Sequence, residues 1–112
     1  MTMKHRTQTD ITFLYPEGKI VLGDGDQELG EAVQHLLGQG ARKMIINFSK
    51  VSYLDSSGVG ELVGCYTSIK GQGGELRICC LNARISSLIK MTSLNSVFAV
   101  NDTEDEAIAG FR

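Results

Sequence analysis

The segment Lys43-Met-Ile-Ile-Asn-Phe-Ser-Lys-Val-Ser-Tyr-Leu-Asp-Ser-Ser-Gly-Val-Gly60 sets the fold. Its first part, Lys43 to Phe48, carries the apolar run Met44-Ile45-Ile46, which reads as a strand buried on both faces. From the end of the segment onward, Val59, Leu62, Val63, Tyr66 and Ile69 mark one face of an amphipathic helix. Gly71, Gly73 and Gly74 close that helix. A doubly buried strand feeding a helix is the repeating unit of a parallel sheet covered by helices.

Working outward, the same alternation continues on both sides. Toward the N-terminus, Leu29, Ala32, Val33, Leu36 and Leu37 form a helical face, which Asp26 can N-cap and Gly38 and Gly40 end. Before it, Thr9 to Tyr15 is β-rich, with Ile11, Phe13 and Tyr15 on one side. Pro16-Glu17-Gly18 reads as a turn into a second short strand, Lys19 to Leu22, giving a hairpin. Gly23-Asp24-Gly25-Asp26 then breaks the pattern. Toward the C-terminus, Leu76 to Leu81 is another buried strand, and Ile85, Leu88 and Ile89 mark a third helix. Val97 to Val100 is a last strand. Asp102 to Glu106 opens a final helix, with Thr103 and Glu106 as a capping box. The order β-β-α-β-α-β-α-β-α predicts an α/β domain over residues 1–112: a small mixed, mostly parallel β-sheet with helices packed on it.

Composition narrows the class of function. The chain has 112 residues, a net charge of −2, and 11 Lys plus Arg against 13 Asp plus Glu, with no basic cluster to neutralise phosphates. Direct nucleic-acid binding is therefore not expected. Apolar runs fall far short of the roughly 20 residues that span a bilayer, and Met1-Thr-Met-Lys-His-Arg6 is not a secretory signal. The thiols Cys65, Cys79 and Cys80 read as reduced, small hydrophobes. Cys79 and Cys80, as strand neighbours, should point to opposite faces and make poor joint metal ligands. Neither a metal nor a cofactor is expected. The 13 Gly beside a single Pro, Pro16, suit many tight boundaries in a short chain, or backbone kept open for a purpose.

In open α/β sheets, functional groups gather beyond the carboxyl ends of the strands. Here that place is Ser49 to Gly60. Asp55, Ser56 and Ser57 stand where any of them can N-cap the following helix, and Gly58 and Gly60 leave its first amides unobstructed, a ready anion site. A serine nucleophile would need an adjacent base. The chain offers only His5, in the frayed start, and His35, on the first helix. Gly23-x-Gly25 lacks the third glycine of a nucleotide loop, and no Gly-Lys-Ser/Thr occurs.

The stretch Val51-Ser-Tyr-Leu-Asp-Ser-Ser-Gly-Val-Gly60 resembles the signature of bacterial anti-sigma factor antagonists, the STAS domain family. Further landmarks fall in the family's order: Gly18-Lys-Ile-Val-Leu22, Gly73-Gly74-Glu75-Leu76, and Leu94 with Val97-Phe98. The resemblance implies a cytoplasmic switch and not a catalyst. In the family, the second serine of the motif is phosphorylated by a partner anti-sigma factor that is itself a serine kinase of the histidine-kinase-like ATPase class. That serine corresponds to Ser57, with Ser56 as the alternative acceptor. The unphosphorylated antagonist binds the kinase and frees the sigma factor; a serine phosphatase resets the cycle.

By the same resemblance, Asp55, Ser56, Ser57, Gly58, Val59 and Gly60 belong to the partner-binding surface, with Asp24 or Asp26 nearby and Asp26 the favoured match. Asp55 either caps the helix or orients the Ser57 hydroxyl. Gly58 and Gly60 either admit a kinase to the backbone or serve helix-start geometry. Asn47 stands where many relatives have Asp, and Ser93 where many have Gly. The alternative is a STAS interaction module of another pathway, in a lipid-transport complex or a stressosome-like assembly.

Overall fold

A computed structural model describes residues 2–111. Two antiparallel strands open the chain: β1, Thr2–Gln8, and β2, Ile11–Ile20. They pair from Thr2 opposite Glu17 to Gln8 opposite Ile11, so the hairpin turns at Thr9-Asp10. Thr9 takes a left-handed backbone there, at φ 55°. The turn expected at Pro16-Glu17-Gly18 lies instead inside β2, and His5 sits in β1 opposite Leu14 rather than in a frayed start.

A change of partner lets a strand hold the Pro-Glu-Gly sequence. The first half of β2 pairs in parallel with β3, Lys43–Asn47, through Ile11–Leu14. The second half pairs in parallel with β4, Val51–Leu54, through Gly18–Ile20. Pro16 falls between these partners, where a missing N–H costs no ladder bond to either. Gly18, at φ 112°, adjoins the register shift between Gly18 and Lys19.

The remaining elements are α1, Asp26–Gly38; α2, Ser56–Gly71; β5, Glu75–Cys79; α3, Ala83–Met91; β6, Ala99–Asn101; and α4, Glu104–Ala109. The six-stranded sheet runs β1-β2-β3-β5-β6, with β4 on β2. All pairs but the hairpin are parallel. The expected mixed, mostly parallel α/β architecture is thus present. The strands expected at Thr9 to Tyr15 and Lys19 to Leu22 merge largely into β2, while β1 and β4 are strands beyond those expected and the last strand is shorter. A 3-10 turn at Leu94–Ser96 takes up part of the approach to β6.

The side-chain period of two divides the sheet between two cores. Leu14, Met44, Ile46 and Ile78 face the larger one, beneath α1, α2 and α3. Ile11, Phe13, Ile45 and Cys79 face a smaller one with Ala107 of α4. On α2 the fully buried line is Leu62, Cys65 and Ile69, with Val59, Val63 and Tyr66 beside it. Cys65 therefore lies within the buried stripe, and burial pushes its thiol up to about 12. A thiol so hard to ionise packs as an apolar group. A side chain at Gly30 of α1 would meet the end of the Glu61 side chain of α2, which is free to swing aside.

Candidate functional site

The carboxyl ends of β2 and β4 lie side by side and release two segments next to each other. Past β2, the chain makes a tight turn in which Val21 N–H donates to the Asp24 carbonyl and Asp24 N–H donates to the Val21 carbonyl, both at 2.9 Å. Past β4, Asp55 N–H donates to the Ile20 carbonyl at 3.4 Å, and α2 begins at Ser56.

Asp55 joins the two segments. It is the N-cap of α2, in extended backbone, and one carboxylate oxygen accepts the Gly58 N–H at 2.9 Å. The other accepts the Leu22 N–H at 3.0 Å. The Leu22 amide, then that of Gly58, holds the Asp55 carboxyl below its ordinary value, since both stabilise the charged form. With both oxygens held by backbone amides, Asp55 acts as the helix cap, the first of the two roles open to it.

Ser56 is exposed and Ser57 half-buried, and both lie within the first turn of α2. No side-chain hydrogen bond engages the Ser57 hydroxyl among the described residues, and no acidic side chain occupies that turn. The positive end of this 16-residue helix dipole is met by the Asp55 carboxylate at the N-cap, and the first turn that carries Ser57 adds no acid of its own. His5 lies on β1 and His35 on α1, and neither is hydrogen-bonded to Ser57.

The two glycines divide. A side chain at Gly58 would collide with the Ile20 backbone carbonyl, so this glycine lets α2 pack onto the end of β2. Gly58 is itself buried there, which fits the helix-start role of the two open to it. Gly60 has nothing within 4 Å of where a Cβ would stand and faces solvent. Val59 is half-buried and packs on the larger core.

Asp26 departs from its expected role. The N-cap of α1 is Gly25, at φ 94°, a conformation that favours glycine, and Asp26 is the first helical residue. Its carboxylate accepts the Gln27 N–H at 2.8 Å and the Gly23 N–H at 3.2 Å. At 8 % exposure Asp26 serves the loop itself, whereas Asp24 is exposed. Asn47 uses its amide to donate to Glu104 at 2.9 Å and its carbonyl to accept the Ser49 N–H at 2.9 Å, which ties α4 and the β3–β4 connection to the end of β3.

Three features around the site were not evident from the sequence. Leu22, next to the Asp55 clamp, is 76 % exposed. Asn82 caps α3 by accepting the Ile85 N–H, and its amide donates to the Val51 and Ser52 carbonyls of β4. Tyr53, Leu54, Ile85, Leu88 and Met91 line an apolar groove of about 460 Å³, with the Arg84 guanidinium 5.4 Å from the Tyr53 ring centroid. An asparagine followed three residues later by an apolar helix face was a signal for the cap. The exposure of Leu22 and Met91 had no sequence signal, because each ends an apolar pattern that is otherwise buried.

The STAS domain family model matches residues 2–107. An anti-sigma-B factor antagonist of Staphylococcus aureus is 33% identical over 75 residues, 67% of this chain and 69% of the relative. An anti-sigma F factor antagonist of Paenibacillus polymyxa is 27% identical over 81 residues, 72% of this chain and 67% of the relative. Among solved structures, the unphosphorylated anti-sigma factor antagonist SpoIIAA superimposes with a TM-score of 0.74 at 21% identity, covering 99% of this chain and 98% of that one. The phosphorylated form of SpoIIAA from Bacillus superimposes equally well. The chain belongs to the STAS domain family.

Proposed function

We propose that this protein is an anti-sigma factor antagonist. In this reading its unphosphorylated form binds an anti-sigma factor serine kinase and releases the sigma factor, and phosphorylation of Ser57 switches it off. The observation that carries the reading is the placement of Ser57 in the first turn of α2, beside the exposed Ser56, Gly60 and Leu22. The names of the relatives and the existence of SpoIIAA structures in both states support it.

The switch is electrostatic and local. A phosphoserine carries roughly −1.5 to −2 charges at neutral pH. Against a net charge of −2, one phosphate about doubles the total, all of it at one helix end. There it meets the positive end of the dipole, so the fold tolerates it. The penalty falls on a bound partner, which must desolvate the dianion or oppose it with like charge; each ~1.4 kcal/mol is tenfold in affinity. A serine phosphatase restores the binding form.

Asp55, Ser56, Ser57 and Gly60 form the partner-binding surface in this reading, with Asp24 at its edge. Gly58, Val59 and Asp26 support that surface from beneath. The test is capture of a histidine-kinase-like ATPase, in the presence of nucleotide, by immobilised protein. Wild type and Ser57→Ala should retain it and Ser57→Asp should not. Equal retention by all three overturns the switch.

A further inference from the structure

Cys79 and Cys80 do not point to opposite faces. Strand β5 ends at Cys79, and Cys80 takes a left-handed backbone at φ 64°, which turns its side chain back. The two thiols meet at 3.5 Å. A non-glycine residue in this region carries backbone strain. Cys79 is fully buried in the smaller core, while Cys80 is half-buried and packs against the edge of that core, as Ile108 and Phe111 do.

The spacing selects a ligand class. At a sulfur–centre bond of about 2.3 Å, thiolates 3.5 Å apart subtend an angle of roughly 100°. A linear two-coordinate centre with bonds of that length needs sulfurs about 4.6 Å apart, so it does not fit. Tetrahedral zinc needs four ligands, and no group of three or more His, Cys, Asp or Glu side chains able to hold a metal occurs among the described residues. A disulfide is strained as well, because adjacent Cα atoms stand about 3.8 Å apart, short of the usual disulfide range. What fits is a three-coordinate, pyramidal, thiophilic centre that takes two sulfurs from the protein and brings its own third substituent. The smaller core against which Cys80, Ile108 and Phe111 all pack is apolar and suits an organic substituent.

We propose that Cys79 and Cys80 form a two-thiol chelating site for trivalent arsenicals, aryl-substituted ones in particular. With an aryl arsenic oxide, two As–S bonds replace the arsenic–oxygen bond. The two thiol protons leave with that oxygen as one water, and arsenic stays trivalent. Burial raises the Cys79 thiol, because the apolar core disfavours its charged form. Loading places a bulky group beneath α4, next to Ala107.

The experiment uses phenylarsine oxide with the native full chain, read by intact mass and then by peptide mapping. Trypsin releases Ile78–Arg84, which holds both thiols and not Cys65. The expected result is one arsenical per chain, mapped to that peptide, retained against excess monothiol and removed by a dithiol. Cys80→Ser leaves one sulfur and should weaken retention on the order of 100-fold, while Cys65→Ser leaves retention unchanged. The peptide map of the unaltered chain keeps the test valid if a variant fails to fold. An adduct on Cys65, an adduct formed only on the urea-unfolded chain, or equal retention in Cys80→Ser overturns the proposal.

Discussion

The carboxylate of Asp55 accepts the backbone N–H of Leu22 at 3.0 Å, across 33 residues of chain. The same side chain caps α2 through Gly58. One aspartate therefore fixes the loop after β2 against the helix that carries Ser57. The geometry around Ser57 depends on this clamp more than on any contact of Ser57 itself.

Removing the clamp should lower stability with a defined pH signature. The folded pKa of Asp55 is depressed by the two amides, so its contribution is present above the unfolded value of about 3.9 and is lost as pH falls through the folded pKa. Thermal unfolding of Asp55→Ala should therefore show a clear deficit against wild type at pH 7. The deficit should narrow below about pH 4, as the wild-type carboxylate protonates. A deficit independent of pH would mean that the charge on Asp55 does nothing.

Gly58 and Gly60 should respond oppositely to alanine. At Gly58 the new methyl meets the Ile20 carbonyl, and overpacking of this kind costs about 1–3 kcal/mol. At Gly60 the space is open and the backbone helical, so alanine should stabilise by up to ~1 kcal/mol. Urea unfolding of the two variants reads both signs.

Ser93 follows the C-cap of α3 with φ 60°, a position where glycine carries no strain. Ser93→Gly should raise stability by about 1 kcal/mol. Because Ser96 Oγ donates to the backbone carbonyl of residue 93, that bond survives the change. An unchanged or lower melting temperature would show that the serine is not strained there.

A charge at Ser57 should leave the fold intact. Far-UV circular dichroism of Ser57→Asp should superimpose on wild type, because the helix N-terminus accommodates an anion. A large loss of helix would replace the local switch with an unfolding one.

The parallel sheet, the helix faces and the Asp55–Ser57 turn were legible because periodicity and capping act over a few residues. Val51-Ser-Tyr-Leu54 hid as a strand because only its two ends are buried. Pro16-Glu17-Gly18 looked like a turn because local chemistry favours one. A change of strand partner within β2 overrides that preference, and the sequence carries no local mark of such a change. Asp26 was expected to cap α1, yet Gly25 takes the left-handed position ahead of it and leaves the aspartate to hold the loop. Cys80 departed from strand alternation through one backbone dihedral, which a residue pattern does not encode.

The most direct measurement is the intact mass of the protein after incubation with an anti-sigma factor serine kinase and ATP. One phosphate on wild type and none on Ser57→Ala is the predicted result. A phosphate that persists on Ser57→Ala, or a wild type that takes none from a kinase that binds it, contradicts the assignment of the switch to Ser57.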